Sequence, residues 1–229
     1  RGYLSGCSNG TYGVFGGGMA GIGNTIDYIT ISTTGNATDF GDLTVGRSSL
    51  AAAADTTYGV FAGGSSTSYV PLNVLDYVTI ATPGNATDFG DLTTGGAETS
   101  GVGNGVYGVF GYGIDSDYDY FPLQYVTIAT PANAVLWGSP VSYAGKRGAC
   151  GNATYGLFAG DYSGGAGIDY ITYATVGSSA SFGSLTVGRE YSTGAANAVR
   201  ATFLGGNDSG GSLTNVIDYV TIATTGNAT

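Results

Sequence analysis

The sequence contains no histidine. Histidine is the commonest general base near neutral pH and a frequent transition-metal ligand, so its absence excludes serine–histidine triads and histidine-based zinc sites. The two cysteines, Cys7 and Cys150, are too far apart in the chain to provide metal-ligand spacing. We therefore expect a protein that is not an enzyme and that binds no cofactor.

Positive charge is also scarce. Six Lys and Arg residues stand against 16 Asp and Glu residues, which gives a net charge of −10. A surface of this sign repels a nucleic-acid backbone and an anionic bilayer alike. The sequence has no apolar run of about 18 residues and no signal-peptide pattern at its start. We expect no nucleic-acid partner and no membrane insertion.

A repeat runs through the whole chain, with the pattern Tyr-Gly-Val-Phe-x-Gly-Gly followed by a variable stretch and then Asp-Tyr-Ile/Val-Thr-Ile. The aromatic residue before the glycines recurs at Phe15, Phe61, Phe110, Phe158 and Phe203. Spacings of this size are typical of propeller blades or another repeat array. We expect one domain, 1–229, with repeats at approximately 1–46, 47–95, 96–145, 146–188 and 189–229.

Each repeat is predicted to form four short strands, which in the second copy are 49–54, 57–62, 74–81 and 87–92. In the third of these strands, Tyr77 points to one face, and Val78 and Ile80 point to the opposite face. Bulky groups therefore lie on both faces. Such a strand belongs to a sheet covered on both sides, as blades are around a central axis. The sequence predicts an all-β propeller of four-stranded antiparallel blades.

Five blades are expected, and the last is expected to lack its outer strand, because the sequence stops at Thr229, just before a fifth Asp-Phe-Gly-Asp-Leu segment would begin. The alternative is a longer parent protein with six to eight blades. In a ring closed by exchanged strands, residues ahead of Arg1 or after Thr229 would supply the missing strand.

The repeat resembles the kelch repeat, whose blade has an Arg before the inner strand, a double glycine after the second strand, a Tyr in the third and a Trp in the fourth. Arg47, Gly63-Gly64, Tyr77 and Phe89 match these positions in order, and Trp137 stands at the last of them in the third copy. The segment Gly-Asn-Ala-Thr-Asp-Phe-Gly-Asp-Leu-Thr is similar to repeats of phage virion and tail-fibre proteins. These resemblances imply a propeller at a virion surface or another extracellular location.

The variable segments after each second strand are predicted to share one rim of the propeller with the residues that precede the inner strands. Their tyrosines stand among Gly, Ser, Asn and Asp, a mixture that resembles antibody paratopes. The predicted binding residues are Tyr69, Tyr112, Tyr118, Tyr120 and Tyr162, with Asp115, Asp117 and Asp119 and the nearby Arg47 and Arg189. The alternative is that these are ordinary surface loops.

Alternating carboxylates at Asp115, Asp117 and Asp119 form a weak candidate for a calcium site. The segment departs from the EF-hand pattern, so a solvated acidic loop is the alternative, and we predict no metal site.

The aspartates that recur before the repeat tyrosine are expected to be scaffold hydrogen-bonding groups. They are Asp27, Asp76, Asp169 and Asp218. Cys7 and Cys150 occupy the same repeat position and are expected to be free thiols.

From these features we expect a non-enzymatic, surface-displayed propeller that serves attachment or structural decoration, as part of a virion or a cell-surface appendage. Its partner would be a protein or a glycan on an exterior surface, or other subunits of a larger assembly. The alternative function is a lectin-like module that binds glycans through the variable loops.

Overall fold

The computed structural model describes residues 1–19, 23–117, 119–142 and 145–229. These residues form nineteen β-strands and no α-helix, so this part of the chain has no helix that could cross a membrane. The first blade comprises β1 (Ser5–Ser8), β2 (Tyr12–Gly16), β3 (Thr25–Thr30) and β4 (Thr38–Asp42). The second comprises β5 (Ala51–Ala54), β6 (Tyr58–Ala62), β7 (Val74–Thr79) and β8 (Thr87–Asp91).

The remaining blades repeat this order. The third comprises β9 (Ser100–Gly103), β10 (Tyr107–Gly111), β11 (Leu123–Thr127) and β12 (Val135–Gly138). The fourth comprises β13 (Gly148–Gly151), β14 (Tyr155–Ala159), β15 (Gly167–Thr172) and β16 (Ala180–Ser184). The fifth comprises β17 (Thr193–Ala196), β18 (Arg200–Leu204) and β19 (Ile217–Thr221).

Within each sheet the strands pair antiparallel in chain order, so each blade is a simple meander. The first strands of all five blades line a shared central space of about 630 Å³. The protein is therefore a five-bladed β-propeller with a three-stranded last blade, as the sequence predicts. The strands predicted in the second copy are confirmed, with differences only at their ends.

Both faces of a blade are covered where blades meet. Val60 pairs with Tyr77 on one face of the second blade, whereas Phe61 pairs with Asp76 on the other. Phe61, Val78 and Ile80 pack against apolar residues of the first blade. Similar clusters join the second blade to the third, the third to the fourth and the fourth to the fifth. The bulky residues on alternate sides of one strand thus have separate partners, as expected.

A glycine in the fourth strand lets neighbouring blades approach closely. Gly90 has φ of +139°, and a Cβ atom placed there would lie 2.7 Å from the carbonyl group of Ala132 in the third blade. Its counterpart Gly41 makes the same approach to Gly84. Any side chain at these positions would push the blades apart and would also strain the backbone.

A buried ion pair stabilises the second blade. Arg47 Nη1 donates to Asp76 Oδ2 at 2.8 Å, and Arg47 Nη2 donates to the carbonyl of Phe61 at 3.2 Å. Neither charged side chain is exposed. Asp76 also accepts from the backbone N–H of Thr44 at 3.2 Å and from its hydroxyl at 2.5 Å. Because Thr44 follows the last strand of the first blade, Asp76 connects two blades.

Other blades vary this arrangement. The pairs Arg1–Asp27 and Arg189–Asp218 correspond to it. In the fourth blade the equivalent Asp169 pairs with Arg147, which stands three residues later in the repeat than Arg47 does. In the third blade the partners are neutral: Gln124 accepts from the backbone N–H of Thr93 at 2.5 Å, and Phe121 fills the space beside Gly96. The recurring aspartates are therefore scaffold groups, and their charge is matched by an arginine.

The fifth and first blades meet differently from the others. We call the surfaces that they turn toward each other the seam. Ile217 of β19 is 63% exposed, whereas its equivalent in the second blade, Leu75, is fully buried. On the facing side, Ile31 is 50% exposed while its equivalent Ile80 is buried. Among the described residues, no apolar cluster joins these two blades as it joins the other pairs.

Candidate functional site at the mouth of the propeller

The loops after the second strands do lie beside the residues that precede the inner strands. Backbone bridges join Ser48 to Ser65, Ala97 to Ile114 and Glu190 to Asn207. The variable loops and the starts of the inner strands therefore form one rim, as the sequence predicts.

Five equivalent positions surround the central space at this rim. Each is a non-glycine residue in the left-handed region, with φ between 55° and 59°. We call them the mouth ring: Tyr3, Ser49, Glu98, Lys146 and Tyr191. Such a conformation is uncommon for any residue other than Gly, Asn or Asp. Strained backbone of this kind concentrates at functional sites.

Backbone hydrogen bonds join neighbouring members of the mouth ring. The N–H of Ser49 donates to the carbonyl of Tyr3 at 2.8 Å, and the N–H of Tyr191 donates to that of Lys146 at 2.8 Å. The backbone geometry is shared, yet the side chains are two tyrosines, a serine, an acid and a base. The scaffold is constant here and the chemistry differs from blade to blade.

Lys146 is the centre of an ionic and aromatic cluster. Its Nζ lies 3.8 Å from Glu98 Oε1 and 3.4 Å from Glu190 Oε2. The same ammonium group stands over the rings of Tyr162 and Tyr191, at 4.1 and 4.5 Å from their centroids. Cation–π contacts at this distance are attractive and orient the rings. The cluster joins the mouth ring to a variable loop.

The electrostatics of the mouth follow from partial burial. Burial raises the pKa of Glu98, and the nearby Lys146 only partly offsets this effect. Burial alone would lower the pKa of Lys146, but the hydrogen bond to Tyr191 and the charge of Glu98 outweigh it and leave the pKa raised. Lys146 therefore stays cationic across the physiological range. The pKa of Glu98 is shifted upward, towards neutral pH, so its carboxyl group holds a proton more tightly than a solvated Glu does.

Two clefts open at the mouth ring. One, of about 440 Å³, extends outward over the loops of the first three blades and is lined by Tyr69, Ile114 and Tyr191 among others. The second, of about 480 Å³, lies over the central space and is lined by Glu98, Lys146 and Ser192. The Oε2 atom of Glu98 and the hydroxyl of Ser192 have no hydrogen-bond partner in the described part of the chain. Both clefts combine aromatic surface with polar groups.

The loop tips are held by side chains that bind their own backbone. Asp115 Oδ1 accepts from the N–H groups of Asp117 and Asp119, each at 2.9 Å. Asp161 and Asp208 do the same in their loops. For Asp161, burial would raise the pKa of the carboxyl group, but hydrogen bonds from the N–H groups of Gly165 and Ser163 and from the Ser163 hydroxyl outweigh it and lower the pKa. These carboxylates order the loops that surround the mouth.

The candidate calcium ligands receive no further support. Asp115 is engaged by backbone N–H groups, and Asp117 is exposed. Within residues 1–19, 23–117, 119–142 and 145–229, no cluster of three acidic or cysteine side chains could hold a metal ion. The acidic loop is a turn organised by Asp115.

Four of the predicted binding tyrosines belong to described residues. Tyr69 is 73% exposed and Tyr162 is 60% exposed, and Tyr120 is half-buried. Tyr118 lies outside the described residues. Tyr69 and Tyr162 reach the rim from different blades, and Tyr162 contacts Lys146.

The prediction that Tyr112 is a rim residue is corrected by its burial. Tyr112 takes the place of the first glycine of the pair, with φ of 55°, and its side chain is fully buried. Its hydroxyl lies 2.8 Å from Ser179 Oγ and donates to Asp169 Oδ2 at 3.2 Å. The ring packs against Phe158, with centroids 4.6 Å apart. Because it completes a blade joint, Tyr112 presents no surface to a ligand.

Arg47 and Arg189 are also buried rather than available at the rim. Their guanidinium groups pair with Asp76 and Asp218 inside the blades. A buried guanidinium requires an ionic partner, because an unpaired charge away from water is costly. These arginines hold the scaffold and are not ligand-binding candidates.

The sequence reasoning missed Tyr3, Glu98, Lys146 and Tyr191. A signal for them does exist. They occupy one repeat position, shortly before the inner strand, at which the five copies differ strongly in chemistry. Alignment of the copies by inner strand would have identified this position.

Both thiols are free, as expected. Burial raises the pKa of Cys150 to about 12. At neutral pH this thiol is protonated and unreactive, which suits a small apolar residue.

No protein-family model matches the chain, and no curated protein matches it.

Proposed function

We propose that this protein is a non-enzymatic binding propeller, displayed on an exterior surface for attachment or decoration, and that it binds its partner through the mouth. The observation that carries the proposal is the mouth ring. Five equivalent positions keep one strained backbone conformation while their side chains differ. A position with only a structural role would be expected to hold glycine in most copies.

The cluster around Lys146 supports the same surface. Exposed aromatic rings provide large contact area with little loss of side-chain entropy, and Tyr69 and Tyr162 are exposed at the rim. Glu98 and Lys146 provide one charge of each sign between them. The mouth is therefore suited to a partner that offers both apolar surface and polar groups.

The kelch-like identity and the virion or appendage location are part of this proposal. In support, an arginine that precedes the inner strand pairs with the aspartate of the third strand in the second and fifth blades. The net charge of −10 supports an extended, soluble display and does not favour nucleic acid.

The binding test uses purified protein against an array of glycans and against candidate surface proteins. Lys146→Met and Tyr162→Ala should each weaken binding by about tenfold or more, since cation–π and aromatic contacts are lost together. Val176→Ala is the matched control, because Val176 is an exposed side chain in a turn between third and fourth strands, away from this rim. Equal binding by all three variants would contradict the proposal.

A lectin-like function is the second candidate. Tyr69 and Tyr162 present exposed rings, and Glu98 lines the same cleft as Tyr69. An aromatic face next to a carboxylate acceptor suits a sugar ring with its hydroxyl groups. Selective glycan binding that Tyr162→Ala abolishes, without any protein partner, would favour this function over attachment to a protein.

A further inference from the structure

The cleft of about 440 Å³ at the mouth, which we call the outward cleft, combines aromatic rings with acidic side chains. Three tyrosines line it, namely Tyr3 and Tyr191 of the mouth ring and Tyr69 from the loop of the second blade. Two carboxylates, Glu98 and Asp115, line it as well. No lysine or arginine is among the described residues that line this cleft. Its walls therefore offer negative charge and aromatic surface without a cation of the protein's own.

The neighbouring Lys146 cluster shows how such groups receive a cation. Glu98 and Tyr191 line both clefts of the mouth, whereas Lys146 lines only the one over the central space. There the Lys146 ammonium lies 4.5 Å from the centroid of the Tyr191 ring and 3.8 Å from Glu98 Oε1. A cation that entered the outward cleft would meet the same two kinds of group.

Negative charge is in excess on this side of the mouth. Lys146 is shared between Glu98 and Glu190, so one ammonium group offsets two carboxylates. Asp115 forms no salt bridge with any residue that the structure describes. The whole chain has a net charge of −10. The electrostatic potential of the outward cleft therefore favours a cation over an anion or a neutral group.

The walls of the outward cleft can be reached from outside. Tyr69 is 73% exposed and Tyr3 is 52% exposed. The side chain of Glu98 is 20% exposed, so it is only partly covered by its neighbours. The rings of Tyr3 and Tyr191 meet edge-on, with centroids 5.9 Å apart. A flat group can therefore approach the tyrosine rings and a carboxylate together.

Backbone hydrogen bonds hold the two acidic segments of the cleft together. Ala97 and Ile114 exchange N–H to carbonyl bonds of 2.9 and 3.0 Å. Glu98 and Asp115 are the residues that follow these two positions. Because the segments are already fixed against each other, a ligand loses little free energy in ordering them.

We propose that the outward cleft binds the guanidinium group of an arginine side chain on the partner protein. The group stacks on the exposed tyrosine rings, and Glu98 and Asp115 offset its charge. A guanidinium suits this lining better than an ammonium, because it is planar, stacks on aromatic faces and donates in a fork that matches a carboxylate. The inference rests on the proposed function and names the chemistry that the mouth recognises.

The test uses the whole chain and isothermal titration calorimetry with the capped peptide acetyl-Gly-Arg-Gly-amide. We expect saturable binding with a Kd below about 1 mM. The same peptide with citrulline in place of arginine keeps the shape of the side chain but carries no charge, and it should bind at least about tenfold more weakly. A lysine peptide should also bind more weakly than the arginine peptide, since it lacks the planar fork.

Protein variants locate the binding. Glu98→Gln and Asp115→Asn should each weaken binding of the arginine peptide by about tenfold, because each removes one charge and little volume. The Asn side chain keeps the oxygen that accepts from the N–H groups of the loop at Asp115. Tyr69→Leu should weaken binding by about threefold or more, since it keeps apolar bulk but removes an aromatic face.

Asp55→Asn is the matched control. It also removes one carboxylate, and Asp55 lies in the turn between β5 and β6, at the far end of the inner strand from the mouth. Asp55 Oδ1 accepts from two backbone N–H groups, as Asp115 Oδ1 does, and the other four copies of the repeat hold Asn at this position. This variant should bind the arginine peptide like the unaltered protein, and a melting temperature close to the unaltered one shows that each variant is folded.

Several outcomes would overturn the inference. These are no binding of the arginine peptide at about 10 mM, equal binding of the citrulline peptide, a lysine peptide that binds as tightly, and binding that neither Glu98→Gln nor Asp115→Asn weakens. If Lys146→Met weakens binding to an arrayed partner but the arginine peptide does not bind, this inference fails and the proposed function stands. Array binding that neither Lys146→Met nor Tyr162→Ala changes would instead contradict the proposed function.

Discussion

The most informative perturbation is Asp76→Ala in the second blade. It removes the partner of a guanidinium that is fully buried and leaves the N–H and hydroxyl of Thr44 without their acceptor. Breaking a buried pair from one side costs about 3–5 kcal/mol, because the remaining charge is uncompensated. The free energy of unfolding should fall by that amount.

Asp27→Ala is the matched control, since it removes the equivalent carboxylate from a pair that is partly exposed. Solvent screening limits such a pair to about 0–1 kcal/mol. In a chain of this size, 1 kcal/mol corresponds to roughly 2–4 °C in melting temperature. Thermal and urea unfolding, followed by circular dichroism, should therefore separate the two variants by roughly 10 °C.

The third blade suggests a rescue. There a neutral Gln124 accepts the hydrogen bond from Thr93, and Gly96 stands at the repeat position of Arg47. Arg47→Met combined with Asp76→Gln should recover stability relative to Asp76→Ala, because the buried charge is gone and an acceptor for Thr44 remains. If Asp76→Ala and Asp27→Ala cost the same, or if the double variant is no better, the argument from buried charge is wrong.

Three further predictions concern other parts of the molecule. Gly90→Val should lower the melting temperature by several degrees, whereas Gly84→Val should cost little, because a Cβ at Gly90 meets the Ala132 carbonyl and one at Gly84 meets nothing within 4 Å. Cys150→Ala should lower the free energy of unfolding, measured in urea, by less than about 2 kcal/mol, since two other copies hold Ala at this position. Because burial raises its pKa, the native Cys150 thiol should resist iodoacetamide at pH 8 until the protein unfolds. The raised pKa of Glu98 means that the folded state holds this proton more tightly than the unfolded state does. The free energy of unfolding should therefore fall as pH rises from the ordinary pKa of Glu through the raised one. Glu98→Gln should flatten this part of the plot of stability against pH.

Sequence patterns predicted the strands and the blade faces well, for identifiable physical reasons. The alternation around Tyr77 and Val78 has period two, and the repeat supplies five independent copies of it. Pairing partners such as Val60 and Tyr77 follow from the meander once the strands are placed. Local pattern and repeat length therefore determine most of the architecture.

The roles of single residues were harder to predict because they depend on distant partners. Tyr112 looks like a loop tyrosine in the sequence, and only its packing on Phe158 and Asp169 buries it. Arg47 finds Asp76 across the sheet. A comparison of the copies contained a clue, because the third copy lacks both the arginine and the aspartate and has Gly96 and Gln124 instead.

The shared left-handed conformation of the mouth ring separates the side-chain chemistry of the rim from the backbone of the fold. Since Tyr, Ser, Glu and Lys all adopt it at equivalent positions, the backbone of the ring accepts any of these residue types. Under the proposed function, single codon replacements at these five sites would change partner choice while the strands keep their sequence. The same property makes these five sites a natural set for randomisation in a library of engineered binders.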